Sequence, residues 1–202
     1  MKDYSVFNVV AQEKNLPNKI VAGLERISQA FKVLLWEKAK NLALSPIQIQ
    51  LLIFIANHKS EYNNVSYLAS EFNVTKPTIS DAIRVLDKKK LILKDYSSPD
   101  SRSYTIHLSE MGKAMVSETE NFAGPLVSPI EHTPVEDQEQ LFAILSKLIY
   151  ELNQKGILTV QRTCFACKYY QKNTNSHYCR LLEKDLYEAD VRIDCLEFEN
   201  KR

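Results

Sequence analysis

Glycine is scarce here, with four in 202 residues. So few glycines exclude a phosphate-cradling loop, in which several residues must lack a Cβ so that backbone N–H groups reach the anion. Long apolar runs are missing too; none approaches the ~20 residues of a membrane-spanning helix. Residues 1–15 are mixed and polar, with no apolar stretch beside a cleavage site. The expectation is a soluble, cytoplasmic protein without a targeting segment. Nor does one sign of charge dominate: 26 Lys and Arg stand against 25 Asp and Glu, for a net charge of +1. Any argument for an anionic partner must therefore rest on local charge. Cysteine is absent from the first 163 residues, which excludes a disulfide framework through the body of the chain. No catalytic triad or paired-carboxylate site stands out, so the chain reads as a non-enzyme.

The most informative stretch runs from 64 to 108. Val65, Leu68, Ala69 and Phe72 share one face of a short helix, and the chain breaks at Asn73-Val74. A second helix follows, with Thr75 as N-cap and Pro77 in the first turn, where a missing N–H costs little. Its inward positions are Ile79, Ile83 and Leu86; Lys76, Thr78, Ser80, Asp81 and Arg84 point outward. Two short helices joined by a tight turn, the second with a polar and basic outer face, form a helix-turn-helix. Two β-prone runs follow, 91–96 and 103–108, joined by a turn segment with Arg102 near its tip. The layout is a winged helix. Between Thr75 and Arg102, seven Lys and Arg face four Asp and Glu, so positive charge is concentrated here. An α-helix fits the major groove of B-DNA. Lys76, Thr78, Ser80 and Arg84 are the candidates for its floor, Lys88 for phosphate, and Arg102 for the minor groove.

Four pieces carry a family resemblance: Leu44-Ser-Pro-Ile-Gln-Ile, Leu86-Asp-Lys-Lys-Lys-Leu-Ile, Asp100-Ser-Arg102 and Leu108-Ser-Glu-Met-Gly112. Over roughly residues 16 to 155 the chain resembles the MarR family of bacterial transcriptional regulators. The resemblance implies a homodimer whose first and last helices interlace, setting two winged helices on a near-palindromic double-stranded DNA operator. An effector is implied without being identified. One position departs from the family: Lys90 stands where a glycine usually eases the left-handed exit of a helix.

The remaining segments flank this unit. Residues 1–15 read as an extended arm. From Pro17, Ile20, Leu24, Ile27, Phe31 and Leu34 recur at helical spacing and predict a long dimerisation helix. Ser45-Pro46 starts a core helix, with His58 near its end as a solvent-facing or capping residue. Ser109 caps a helix to about Phe122. Gly124-Pro125 and Ser128-Pro129 predict irregular chain to His132, and Thr133-Pro134 starts a last helix that stops at Gly156. The expected divisions are 1–44 (arm and dimerisation helix), 45–109 (winged helix), 110–157 (dimerisation helices) and 158–202 (a cysteine-rich extension).

Cys164, Cys167, Cys179 and Cys195 all lie in that extension. Cys164-Phe-Ala-Cys167 is a Cys-x-x-Cys knuckle; eleven and fifteen residues separate the later pairs. Four thiolates can close a tetrahedral zinc site, and a metal cross-link would supply folding energy that so few apolar residues cannot. Zinc is the first expectation, an iron–sulfur cluster the second, and free or reversibly paired thiols the third. His177 could substitute as a ligand, its plainer reading being a surface histidine. A thiol oxidoreductase using Cys164 and Cys167 is a further alternative, though no βαβ pattern precedes the pair.

Overall fold

The fold is described from a computed structural model covering residues 5–97, 104–173 and 176–201. A short helix, α1 (Val9–Glu13), occupies part of the segment expected to be an extended arm. Local capping explains it: the Asn8 side chain accepts from the Ala11 N–H at 3.0 Å. Then comes α2 (Leu16–Asn41), capped by Asn15 and with Pro17 in its first turn. Only Leu35 and Ala39 of this helix are buried. Leu16, Ile20, Leu24, Ile27 and Phe31 along it are 37% to 67% exposed.

The core is built around α3 (Pro46–Asn57). The Gln48 side chain reaches back to accept from the Ser45 N–H at 2.9 Å, which fixes the start of the helix. Ile49, Leu51, Leu52, Phe54 and Ile55 are all buried. A helix apolar on so many sides must be surrounded, and α3 is packed by neighbours on several flanks. Two of those neighbours are α4 (Val65–Glu71) and α5 (Lys76–Lys88), joined through Asn73 at φ +52°. Asparagine tolerates the left-handed region better than most residues, which makes the turn affordable without glycine.

The exit of α5 is less comfortable. Lys90 sits at φ +59°, the conformation for which glycine is favoured. The departure noted in the sequence thus places backbone strain at the helix exit. Lys90→Gly is expected to stabilise the fold by about 1 kcal/mol, read as a higher urea midpoint. No change would mean the Lys90 side chain makes compensating contacts.

The wing follows as β1 (Ile92–Asp95) antiparallel to β2 (Thr105–Leu108), with Ile92 opposite Leu108 and Asp95 opposite Thr105. Its expected tip, with Asp100 and Arg102, lies outside the described residues. At the wing's base α6 (Glu110–Thr119) begins under Ser109. The Ser109 hydroxyl donates to the Lys90 carbonyl at 2.6 Å and accepts from the Gly112 N–H at 3.0 Å. The backbone N–H of Ser109 donates to the Leu91 carbonyl at 3.1 Å.

One expectation fails in the next segment. Residues 124–131 form a helix, α7 (Gly124–Glu131), where irregular chain was expected. Pro125 falls in the first turn, where its missing N–H has no partner to lose, so the dipeptide starts a helix instead of ending one. Pro129 lies inside, and in a helix this short it removes a single intrahelical bond. The last long helix, α8 (Val135–Gln154), carries Glu136 and Asp137 in its first turn. The chain leaves it through Gly156 at φ +71°.

Beyond α8 the extension has a 3-10 turn at Cys164–Ala166 and a small antiparallel sheet. Its strands are β3 (Tyr170–Lys172), β4 (His177–Cys179) and β5 (Lys184–Leu186), in the order β3-β4-β5. A second, small core of Cys164, Leu186 and Val191 packs against Phe142 of α8, Phe165 and Tyr170.

Candidate nucleic-acid interface and thiol pocket

The exposed face of α5 follows from its amphipathic pattern. Ile79, Ala82, Ile83 and Leu86 are buried. That fixes the roll of the helix, and Lys76, Thr78, Ser80, Arg84 and Lys88 are consequently all exposed. The Thr75 hydroxyl accepts from the Thr78 N–H at 3.3 Å, holding the first turn from which base-reading side chains project. Arg84 pairs with Asp81 at 2.6 Å, both well exposed. A pair so wetted is weak, so the guanidinium is available to a phosphate or base. Lys94, not singled out from sequence, pairs with Asp87 at 2.6 Å and lies 5.3 Å from the centre of the Tyr104 ring, tying the wing to α5. Arg102 lies outside the described residues.

An exposed polar helix, its supporting helix and a two-stranded wing are thus held on one core, and the same assembly occurs in solved structures. The fold is similar to that of MepR. Staphylococcus aureus MepR in complex with DNA is 25% identical, with 64% of this chain and 94% of that one covered and a TM-score of 0.55. MepR in its DNA-binding conformation is 23% identical, covering 66% and 98%, with a TM-score of 0.58. A further MepR structure, 25% identical over 64% and 95% with a TM-score of 0.49, describes it as a transcription regulator of the multidrug efflux pump MepA. No protein-family model matches the chain, and neither does any curated protein. The fold class is therefore a mainly helical winged helix-turn-helix of the MarR type. Among the described residues, no single helix is long and apolar enough to cross a membrane.

The MepR matches leave about a third of this chain uncovered. In the extension, Cys164 and Cys167 are buried, Cys179 and Cys195 half-buried, and none is bonded to another. All four line one cavity of 30 Å³, whose wall includes Tyr170, Leu181, Leu182 and Leu186. The Arg192 backbone N–H donates to Cys164 Sγ at 3.2 Å, and its guanidinium reaches Cys195 Sγ at 3.6 Å. Burial pushes the Cys164 thiol up, opposed by that backbone N–H and reinforced by the neighbouring thiols. Among the described residues, no three His, Cys, Asp or Glu side chains are grouped as they would be around a single ion. The Cys-x-x-Cys pair sits in a 3-10 turn that leads into antiparallel strands, not at the start of an α-helix in a βαβ unit.

One histidine differs from expectation, and a second does more than the capping expected of it. His177 is buried, not on the surface, and its ring bonds the Tyr170 hydroxyl at 2.5 Å and Glu188 at 3.0 Å. The ring does not line the thiol cavity. His58 does cap α3, its Nδ1 2.9 Å from the Phe54 carbonyl, but its Nε2 is engaged by Asp194 at 2.9 Å.

That second contact belongs to an ion network that sequence reasoning did not find. Arg162 is 5% exposed and spends all five N–H donors. Nε and Nη2 donate to Asp194 at 2.6 and 2.8 Å; Nη1 and Nη2 donate to Glu71 at 2.7 and 3.1 Å; Nη1 also donates to the Tyr67 hydroxyl at 2.8 Å. Its guanidinium carbon stands 5.4 Å from the centre of the Phe54 ring and 5.7 Å from that of Tyr62. Glu71 and Tyr67 belong to α4, Phe54 to α3. Asp194 immediately precedes Cys195, and Arg162 lies two residues before Cys164. The clamp therefore joins the thiol pocket to the helix that supports α5.

The clamp carries a pH dependence. Burial works against charge on His58, but hydrogen bonds to Asp194 and the Phe54 carbonyl outweigh it and raise its pKa above 6.5. Arg162 and His58 together hold Asp194 well below the usual carboxylate range, despite burial. A raised histidine contributes stability that is complete below its unfolded value and is lost as pH rises through its folded value. The extension is thus expected to resist proteolysis better at a pH of about 6 than of about 8. His58→Gln should flatten the difference, and a difference that survives it would place the titrating group elsewhere.

Proposed function

We propose that this protein is a homodimeric, sequence-specific DNA-binding transcriptional regulator whose extension carries a four-cysteine metal site. The observation that carries the DNA reading is the orientation of α5: its apolar side chains pack into the core, and Lys76, Thr78, Ser80, Arg84 and Lys88 are exposed on an accessible helix. The similarity to MepR, a protein solved with DNA, supports it. Lys76, Thr78, Ser80 and Arg84 meet the major groove, Lys88 a phosphate, and Arg102 the minor groove. Dimerisation is supported by the uncovered stripe on α2 and by exposed Val127, Ile130, Leu141 and Ile144 on α7 and α8. Faces so apolar on long helices are interface material. The thiols hold zinc or an iron–sulfur cluster, both of which take four cysteine ligands. No catalytic step is assigned.

Selection of bound duplexes from a random pool, followed by gel shifts and sedimentation equilibrium, tests this reading. The expected outcome is an inverted-repeat sequence bound by two chains. Lys88→Ala should weaken binding uniformly across sequences and reduce the slope of log affinity against log salt by about 1. An unchanged slope would return Lys88 to the solvated surface, and a pool with no enrichment would overturn the DNA reading itself.

A further inference from the structure

We infer that the open cavity between α8 and the extension binds a nucleoside monophosphate, its base against the aromatic rings and its phosphate on the lysines. The cavity measures 430 Å³, within the range of sites that take a small organic molecule. It is separate from the thiol pocket, and Tyr170 alone borders both. One wall is aromatic. Phe165 stands edge-on to Tyr150 of α8, ring centres 5.9 Å apart, and edge-on to Tyr170 of β3 at 5.5 Å. The Tyr170 and His177 rings lie at 29° to each other, with centres 5.6 Å apart. Rings packed on one another are already ordered, so a base can stack on them at little further cost. Hydrogen bonds fix two of them: His177 is 9% exposed, and its ring joins the Tyr170 hydroxyl to Glu188 Oε1. That leaves Glu188 Oε2 to accept from an amino group on the base.

The rim is cationic. Lys147 comes from α8, Lys172 from β3 and Lys201 from the C-terminal segment. The backbone N–H of Lys201 donates to the Ala166 carbonyl at 3.1 Å, which fixes that segment beside the cavity. Its Nζ donates to the Phe165 carbonyl at 3.0 Å and stands 5.2 Å from the centre of the Tyr170 ring. Among the described residues, no salt bridge involves any of these three lysines. Glu188 is the one carboxylate in the lining, and it already holds His177. Three ammonium groups against one carboxylate leave +2 with His177 neutral. A phosphate monoester carries about −1.5 to −2 near neutral pH and matches that excess, whereas a single carboxylate would balance half of it. A ligand seated here touches Lys147 and Tyr150 on α8 and the remaining side chains on the extension, so binding holds the extension against α8.

The test is calorimetric titration of the full chain with adenosine 5′-monophosphate, and with adenosine, inorganic phosphate and benzoate as partial probes. Expected is saturable binding of about one nucleotide per chain with a Kd below about 1 mM. Adenosine and inorganic phosphate each supply one half of the contacts and should bind at least about tenfold more weakly. Lys147→Ala and Lys172→Ala, at exposed side chains, should each weaken the nucleotide about tenfold. Lys155→Ala, at the end of the same helix but outside the cavity, should leave it unchanged. The nucleotide should also slow proteolysis of the extension, and at the same concentration should not do so in Lys147→Ala. Circular dichroism of the variants separates a lost contact from a lost fold. No saturable binding would overturn the site, as would an equal loss in Lys155→Ala. Inorganic phosphate as tight as the nucleotide would remove the seat for the base, and adenosine or benzoate as tight would remove the seat for the phosphate; either would overturn the inference.

Discussion

Arg162→Ala should lower the unfolding free energy by about 3 kcal/mol. The size follows from what remains behind. Glu71 takes the Nη1–Nη2 edge and Asp194 the Nε–Nη2 edge of one nearly buried guanidinium. With the cation gone, two carboxylates and the Tyr67 hydroxyl lose five charge-assisted donors, and water reaches the Asp194 side more readily than the Glu71 side. Asp194 is 42% exposed, which places the cost at the lower end of the range for broken buried pairs. Arg162→Met combined with Glu71→Gln and Asp194→Asn should recover much of the loss, because the charges then disappear together. Urea unfolding checks both variants. A loss under about 0.5 kcal/mol in the single variant would mean that the extension is held to the winged helix by other contacts. If the clamp carries a signal from the thiol pocket to α4, DNA affinity should change on filling the pocket in the unmutated chain and stay unchanged in the Arg162→Ala variant. A retained response would require a route other than Glu71.

Gly112→Ala is expected to cost about 3 kcal/mol and to weaken DNA binding. A Cβ on residue 112 would lie 1.9 Å from the Leu91 carbonyl oxygen and 3.0 Å from its carbon. Those are backbone atoms, so no side chain can rotate away. Either α6 or the base of the wing must shift. The Ser109 bonds to Lys90, Leu91 and Gly112 sit at that junction and would be strained with it. The expected readouts are a lower urea midpoint and a weaker gel shift for the selected duplex. Gly23→Ala is the internal control: it lies in α2 with open space around a new Cβ. Relieving a helical glycine there should stabilise by about 0.5–1 kcal/mol. If Gly112→Ala also stabilised, the close approach of α6 to the wing would be wrong.

Much of the winged helix was legible because its signals are local. Thr75 before Lys-Pro, Asn64 before Val65 and Ser109 before Glu110 are N-caps that need only the next few residues to act. The period of Ile79, Ile83 and Leu86 fixed which side of α5 faces out. Where local signals competed, the sequence reading failed. Gly124-Pro125 was read as a break, although proline in a first turn is a beginning. Residues 9–13 lacked a period long enough to register.

The candidate sites divide in the same way. The amino-acid order alone determined the outward face of α5, the apolar stripe of α2 and the gathering of the thiols at one end. Each of these is set by neighbours within a turn or two, or by plain composition. Only the folded chain decided that the four thiols would encircle one void, and that Arg162 would meet Glu71, 91 residues away, and Asp194, 32 residues away. No periodicity marks such partners, because a buried ion pair is chosen by which surfaces come to rest against each other after the helices have packed.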